Sequence, residues 1–409
     1  MRREKNIHLA GLVFLLTVAP IVAPRATPLG ENTPRLPFES YHGLIFLTAR
    51  VNGSEPLSFL FDTGASLTVI NEPRAAALGL TLLDNRRITG GDGGEGTMNF
   101  AFAKGVAIDL GDARFAPDQV GVTSFALAEK FLGHPMDGVL GVDFISRYVV
   151  EIDYAGKTLT LYEPKAYRAG RADATGETLP LRMINGYPCV SARLKLPGRE
   201  ALDLVFGIDT GGGGGSMGLN SPLVTRRKLI ESMPRVVPGF AAGVSGESPV
   251  VTGRAESLTL GRVAILNPTV GFSQATKGAY SWADFDGFLG SEIWRRFRVT
   301  LDYSRKEMRL EPNDSLRDPF ESDMSGLILV ADGADFKTFR ISQVRSDSPA
   351  AAAGLREGDM LLAVDDQSAS VFTLFQLKQN FKQDGREVLL RVRRGEEQLQ
   401  LRLRLKRRI

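Results

Sequence analysis

The chain has 409 residues, 43% hydrophobic and 24% charged, with a formal net charge of +3 at pH 7. That length exceeds one ordinary core, so about two to four domains are expected. The weak charge argues against a nucleic-acid partner, and the lone Cys189 excludes an intrachain disulfide or a cysteine zinc cluster.

The chain opens with Arg2, Arg3 and Lys5, then the apolar run Leu9 to Ala23. The run is short for a membrane span and is interrupted by Pro20. Residues 1–26 are therefore expected to be an export signal or, if left uncleaved, an anchor. Either way the body is expected outside the cytoplasm, periplasmic or extracellular. A membrane partner is implied only in the uncleaved case.

An apolar strand pattern, "GLIFLTARV", begins at Gly43, and a second, "FLFDTGAS", runs from Phe59 to Ser66. A glycine-marked stretch, "TGGDGGEGTMNF", spans Thr89 to Phe100 and predicts a turn between strands. Alternating residues follow, then "DGVLGVDFISRYVVEIDYAGKTLTLYEP" from Asp137. This predicts an apolar strand ending at Gly141, a short helix and a closing hairpin. The series then starts again. "CVSARLKL" and "VFGIDTGG" are strand patterns, and "DGFLGSEIWRRFRVTLDYSRKEMRLEPN" begins at Asp286.

The two series keep the same spacing. From Asp62 to Asp137 is 75 residues and from Asp209 to Asp286 is 77; from there to the next Asp-Tyr is 16 in both. A unit of roughly 130 residues is duplicated. Each copy ends an apolar strand with Asp-Thr-Gly. Two carboxylates that meet in space share a proton, because like charges about 3 Å apart do not both ionise easily. One then serves as a base for water and the other as an acid for a carbonyl oxygen.

The Asp-Thr-Gly after an apolar strand, the later apolar-apolar-Gly and the duplication resemble the pepsin and retropepsin class of aspartic proteases. The resemblance covers about residues 40 to 313. It implies a mainly β, bilobal, pseudo-two-fold fold, with one lobe at 40–165 and the second at 181–313. It implies Asp62 and Asp209 as the catalytic pair acting on polypeptide substrates, no metal or cofactor, and a monomer, since one chain supplies both aspartates. Thr63 and Thr210 would cross-link the two loops. Gly64 and Gly211 would let the backbone turn beside each carboxylate, and Gly141 and Gly290 would leave room behind them. The hairpin flap of the class would fall at Gly90, Gly91, Gly93 and Gly94, against the plainer reading of a solvent turn. The second-lobe counterpart, "AAGVSGESP", reads as just a turn. The five glycines Gly211 to Gly215 are costly to order, or bring the backbone close to a substrate. A Ser-His-Asp triad would need His42 or His134, and no Gly-x-Ser-x-Gly elbow accompanies them.

Past the linker "NDSLRDPFESDM" the composition shifts. "GLILV", the run Ser348-Pro349-Ala350 to Ala353-Gly354-Leu355, and Gly358-Asp359 resemble a PDZ domain over residues 324–409, a β-sandwich or barrel with short helices. Such domains bind a peptide C-terminus by adding it to a sheet edge, its carboxylate held by backbone N–H groups. Here Ser325, Gly326, Leu327 and Ile328 would form that loop, and peptide C-termini would be partners. The aromatics of "VFTLFQLKQNF" read as core of this domain. The Leu/Arg alternation from Leu401 to Leu405 reads as a strand with one wet face, against a membrane-surface role. The implied activity is aspartic endopeptidase, with the PDZ domain recruiting substrates or regulating access. The alternative is a protease-like binding protein that no longer cuts and acts through its PDZ domain.

Overall fold

A computed structural model describes residues 33–89, 93–168 and 176–409. The expected leader lies outside the described residues. The fold is mainly β, as the alternating patterns implied.

The duplication is legible in the topology strand by strand. The first sheet runs in the spatial order Leu82–Thr89, Thr97–Ala103, Val120–Thr123, Val69–Asn71, Gly138–Leu140, Leu57–Phe61, Leu44–Val51, Ile108–Leu110, Ala113–Phe115. The second runs Val237–Gly243, Gly246–Arg254, Thr269–Ser273, Met217–Leu219, Gly287–Leu289, Leu202–Ile208, Tyr187–Lys195, Ser257–Leu260, Val263–Leu266. The orders match position for position. In each lobe the strand ending in Asp-Thr-Gly lies parallel to the three-residue strand ending in apolar-apolar. These central strands read as continuous apolar runs because both faces are covered. Phe59, Phe61, Phe206 and Leu289 are fully buried.

A third sheet, of six strands, ties the lobes together beneath the cleft. Val149–Asp153 of the first lobe pairs antiparallel with Phe297–Asp302 of the second, Glu151 opposite Thr300. Arg298 bonds Asp153 across the seam at 2.7 Å. A single apolar core runs through both lobes and includes Phe144, Phe206, Trp294 and Phe297.

The C-terminal sheet runs Leu327–Asp332, Thr338–Val344, Met360–Val364, Glu387–Arg394, Glu397–Arg404 and has its own core around Phe339, Leu377 and Phe381. Helix Leu374–Asn380 starts with a capping box between Thr373 and Gln376. In the last strand Leu403 is buried and Arg402 and Arg404 are exposed, so the Leu/Arg alternation is the wet-faced strand.

Candidate active site

Asp62 and Asp209 are brought together at the meeting point of the lobes. Each follows its strand directly, and each backbone N–H is fixed by the neighbouring short strand: Asp62 donates to Leu140 O and Asp209 to Leu289 O, both at 3.0 Å. The carboxylates bond to one another. A Cβ placed on Gly64 would lie 3.0 Å from Asp62 Oδ1 and 2.9 Å from Asp209 Oδ1, so both reach the same point. A Cβ on Gly211 would come within 2.3 Å of the Asp62 carboxyl carbon. Only glycine fits between the two loops there.

The threonines form a reciprocal buried lock. Thr63 Oγ1 donates to Ile208 O at 2.6 Å and accepts from Thr210 N at 3.1 Å. Thr210 Oγ1 donates to Phe61 O at 3.0 Å and accepts from Thr63 N at 3.0 Å. Behind them, Gly141 and Gly290 are where one loop crosses another. A side chain at Gly141 would meet Ala65 O at 2.7 Å, and one at Gly290 would meet Gly215 O at 2.6 Å.

The electrostatics separate the two carboxyls. Asp62 Oδ1 accepts from Gly64 N at 2.7 Å and from Gly211 N at 3.2 Å. These donors favour its charged form, although burial pushes its pKa upward. Burial, then the charge on Asp62, raise Asp209 to about 8. Asp209 therefore keeps its proton at neutral pH, and the apparent pKa values belong to the pair.

Several residues of the site carry no family motif. Asn71 and Asn220 are buried at matching places, each donating its side-chain N–H to the carbonyl before the conserved-spacing aspartate, Met136 O at 2.9 Å and Phe285 O at 3.0 Å. Asp137 and Asp286, the landmarks of the repeat, each accept from the backbone of the strand that leads to the catalytic loop, Ser58 N at 2.8 Å and Val205 N at 2.9 Å. A repeated Asn-x-Pro was the available signal. From Asp62 to Asn71 is nine residues and from Asp209 to Asn220 is eleven. The two-residue difference between the copies therefore sits in the glycine run. That run is pinned: Gly214 N donates to His42 O at 3.3 Å, and Ser291 Oγ donates to Gly212 O at 3.0 Å. Tyr187, on the first long strand of the second lobe, bonds Ser66 and has its hydroxyl pKa raised by burial and by the charge on Asp62. It begins an aromatic row through Trp282, Phe285 and Phe288 to Tyr280, with neighbouring centroids 5.0–6.1 Å apart.

Of the expected flap, Gly90 and Gly91 lie outside the described residues. Gly93 and Gly94 stand at the tip of the hairpin formed by Leu82–Thr89 and Thr97–Ala103. Gly93 lies against the Tyr280 ring, and its carbonyl accepts from Ser248 Oγ at 2.6 Å. The second-lobe stretch expected to be just a turn is instead the tip of a long hairpin, Val237–Gly243 with Gly246–Arg254. The two tips meet: Glu95 N donates to Glu247 O at 3.4 Å, and a side chain at Gly94 would strike Gly246 N at 2.6 Å. The stretch read as a turn because small residues dominate its tip, whereas its pairing is set by the lobe it belongs to.

In the C-terminal domain, Ser325, Gly326, Leu327 and Ile328 lead into the edge strand. Ser325 N donates to Asp323 Oδ1 at 2.8 Å and Gly326 N to the same oxygen at 3.3 Å, while Leu327 N donates to Ser325 Oγ at 3.0 Å. Burial raises the Asp323 pKa. Phe375, read as core of this domain, instead packs on the first lobe. Leu374, Leu377 and Phe381 fill the inner face, and Phe375 is one residue, about 100°, off that face.

Residues 47–144 match the sequence model of the family described as Aspartyl protease, and residues 299–405 that of the PDZ domain. The second match reaches back into Phe297–Asp302 and over Glu307–Pro312, which belong to the sheet between the lobes. The chain is 30% identical over 156 residues to DNA damage-inducible protein 1 of Neurospora crassa, covering 36% of this chain and 32% of that protein. It is 30% identical over 122 residues to Protein DDI1 homolog 1 of Bos taurus, covering 29% and 28%. The chain thus spans about a third of the length of the curated relatives it matches. A crystal structure of an aspartic proteinase from Irpex lacteus is 12% identical, with a TM-score of 0.44 over 70% of this chain and 99% of that one. The chain joins an aspartic-protease-like body with two Asp-Thr-Gly lobes to a C-terminal PDZ domain.

Proposed function

We propose that the protein is an aspartic endopeptidase that hydrolyses polypeptides with a water activated between Asp62 and Asp209. The observation that carries this is the convergence of the two carboxyls between the lobes, where a Cβ on Gly64 would lie 3.0 Å from Asp62 Oδ1 and 2.9 Å from Asp209 Oδ1. The Asp62 carboxylate, held as the anion by Gly64 N and Gly211 N, takes a proton from water as it attacks the peptide carbonyl. Protonated Asp209 gives its proton to the carbonyl oxygen, so the tetrahedral intermediate forms as a neutral diol. On collapse the C–N bond breaks, Asp62 gives its proton to the leaving amine, and one diol hydroxyl returns a proton to Asp209 as the carboxylic acid forms, which restores the starting state.

The expected pH dependence follows from the same geometry. Cleavage of an unfolded protein should be bell-shaped in kcat/KM, because the working state carries one proton. The alkaline limb falls near pH 8, where Asp209 loses that proton. The acid limb lies above the ordinary carboxylate range, since burial raises Asp62 too. Beyond each limb the rate should drop about tenfold per pH unit. Initial rates measured from pH 3 to 10 check this; a flat profile through pH 8 would count against the shared proton.

We further propose that the protein acts outside the cytoplasm as a monomer, supported by the basic, then apolar N-terminal run and by both aspartates lying in one chain. Fractionation of cells expressing the full chain tests the first point. The PDZ domain is proposed to recruit substrates or regulate access to the cleft.

A further inference from the structure

The edge of the PDZ sheet is not open to solvent. Among the described residues, strand Leu327–Asp332 pairs on one side only, with Thr338–Val344, and helix Leu374–Asn380 packs against it. The groove between them is where a peptide strand would add. Helix Ala126–Leu132 of the first lobe packs there. Its C-terminal Gly133 sits so deep that a Cβ would lie 2.6 Å from Leu374 Cβ on one wall and 3.4 Å from Ala331 Cβ on the other. Lys378 Nζ donates to Phe131 O at 3.0 Å, and Lys130 pairs with Asp332 at 3.6 Å. Both walls of the groove therefore contact the chain's own helix. The loop at the end of the groove is also taken, since the Asp323 carboxylate accepts from Ser325 N and Gly326 N.

The same docked helix touches the second-lobe hairpin. Phe131 meets Phe240 at 5.5 Å between ring centroids. From the PDZ side, Arg345 Nη1 donates to Pro238 O at 2.9 Å. The far end of that hairpin holds the tip of the first-lobe hairpin, through Ser248 and Glu247. A continuous set of contacts thus runs from the PDZ groove to the two tips that meet at Gly93–Gly94.

We propose that this PDZ domain is an intramolecular clamp: its groove holds helix Ala126–Leu132 of its own first lobe in place of a peptide, and the clamp keeps the second-lobe hairpin closed against the first. Docking and occupation of the groove by an outside peptide strand are mutually exclusive, because both need the space beside Ala331 and Leu374. The domain then regulates access to the cleft rather than recruiting substrate while docked. The gating half rests on the endopeptidase reading above; the docking half does not.

The test uses the full chain with two separate wedges. Phe375→Asp puts a charge into the Tyr41 and His42 contacts from the PDZ side. Gly133→Asn pushes a side chain at Leu374 from the lobe side, at a φ of +71° that asparagine tolerates. Hydrogen exchange, run in an Asp209→Asn background, should be at least about tenfold faster in both variants over Ala126–Leu132, Leu327–Asp332 and the second-lobe hairpin, with the inter-lobe sheet unchanged. The unmutated chain should not be retained on a resin of random heptapeptides with free C-terminal carboxylates. With Asp209 intact, each wedge should raise cleavage of an unfolded protein about threefold or more. Retention of the unmutated chain on the resin overturns the clamp. So does faster exchange at the docked helix that leaves the hairpin unaffected, or a freed hairpin with unchanged cleavage. If the exchange result holds but no form of the chain cuts, the clamp stands and the endopeptidase reading falls.

Discussion

Asp62→Asn and Asp209→Asn should each lower cleavage of an unfolded protein by at least about 10³-fold, the scale of losing a positioned acid or base. The two variants should differ in stability. Asp209 has a folded pKa of about 8, raised by burial and by the charge on Asp62, against 3.8 for an ordinary aspartate. Between those values the native state holds a proton that the unfolded chain has lost. Folding therefore takes up a proton, and stability of the parent falls as pH rises from about 4 to about 8. An asparagine at 209 removes that loss. Asp209→Asn should melt at least about 5 °C above the parent at pH 8, with the difference vanishing below about pH 4. Asp62→Asn gives up the Gly64 and Gly211 hydrogen bonds to a charged oxygen and should gain less. Thermal melts at pH 4 and pH 8, beside the cleavage assay, check both. A variant that is inactive yet more stable would show that the active site is maintained at the expense of the fold. Equal melting at both pH values would mean the shared proton is absent.

The parts of this arrangement legible in the sequence are those the duplication writes twice. Asp62 and Asp209, the threonines beside them and Gly141 and Gly290 occur at repeated spacings, and each occupies a place where backbone crossing or a shared proton allows little else. The strand order follows from the same repetition. Features that depend on one copy meeting the other are not written this way. The second hairpin is closed by its contact with the first, and nothing in "AAGVSGESP" indicates a partner. Tyr187 reaches the dyad because Asn185-Gly186, both at positive φ, turn its strand, as His42-Gly43 do in the first lobe. The Asn-Gly turn was readable; the direction of the ring was not. Phe375 illustrates the limit of helical periodicity. Spacing shows that a face is apolar but does not distinguish the domain's own core from a neighbour's surface.

The threonine lock should carry the second large effect. Thr63→Val keeps the shape but leaves Ile208 O and Thr210 N without their buried partner. Thr210→Val does the same to Phe61 O and Thr63 N. Each orphaned buried group costs about 1–3 kcal/mol, so each variant, with two such groups, should lose about 2–6 kcal/mol in urea unfolding. Serine at either position keeps the hydroxyl and should restore most of it. The two substitutions orphan different atoms, but the hydroxyls lie 3.4 Å apart in one network, so the double variant should depart from the sum. A loss well below the sum means the first substitution already lets the lobes part. The catalytic readout distinguishes these cases. If the lock only stabilises, Thr63→Val at a temperature well below its melting point should keep its kcat. If it also sets the separation of the carboxyls, kcat should fall while KM holds, since two aspartates on separate lobes share a proton only while those lobes are held in contact. The geometry favours the second outcome, because each lock bond ends on the residue directly before or after a catalytic aspartate.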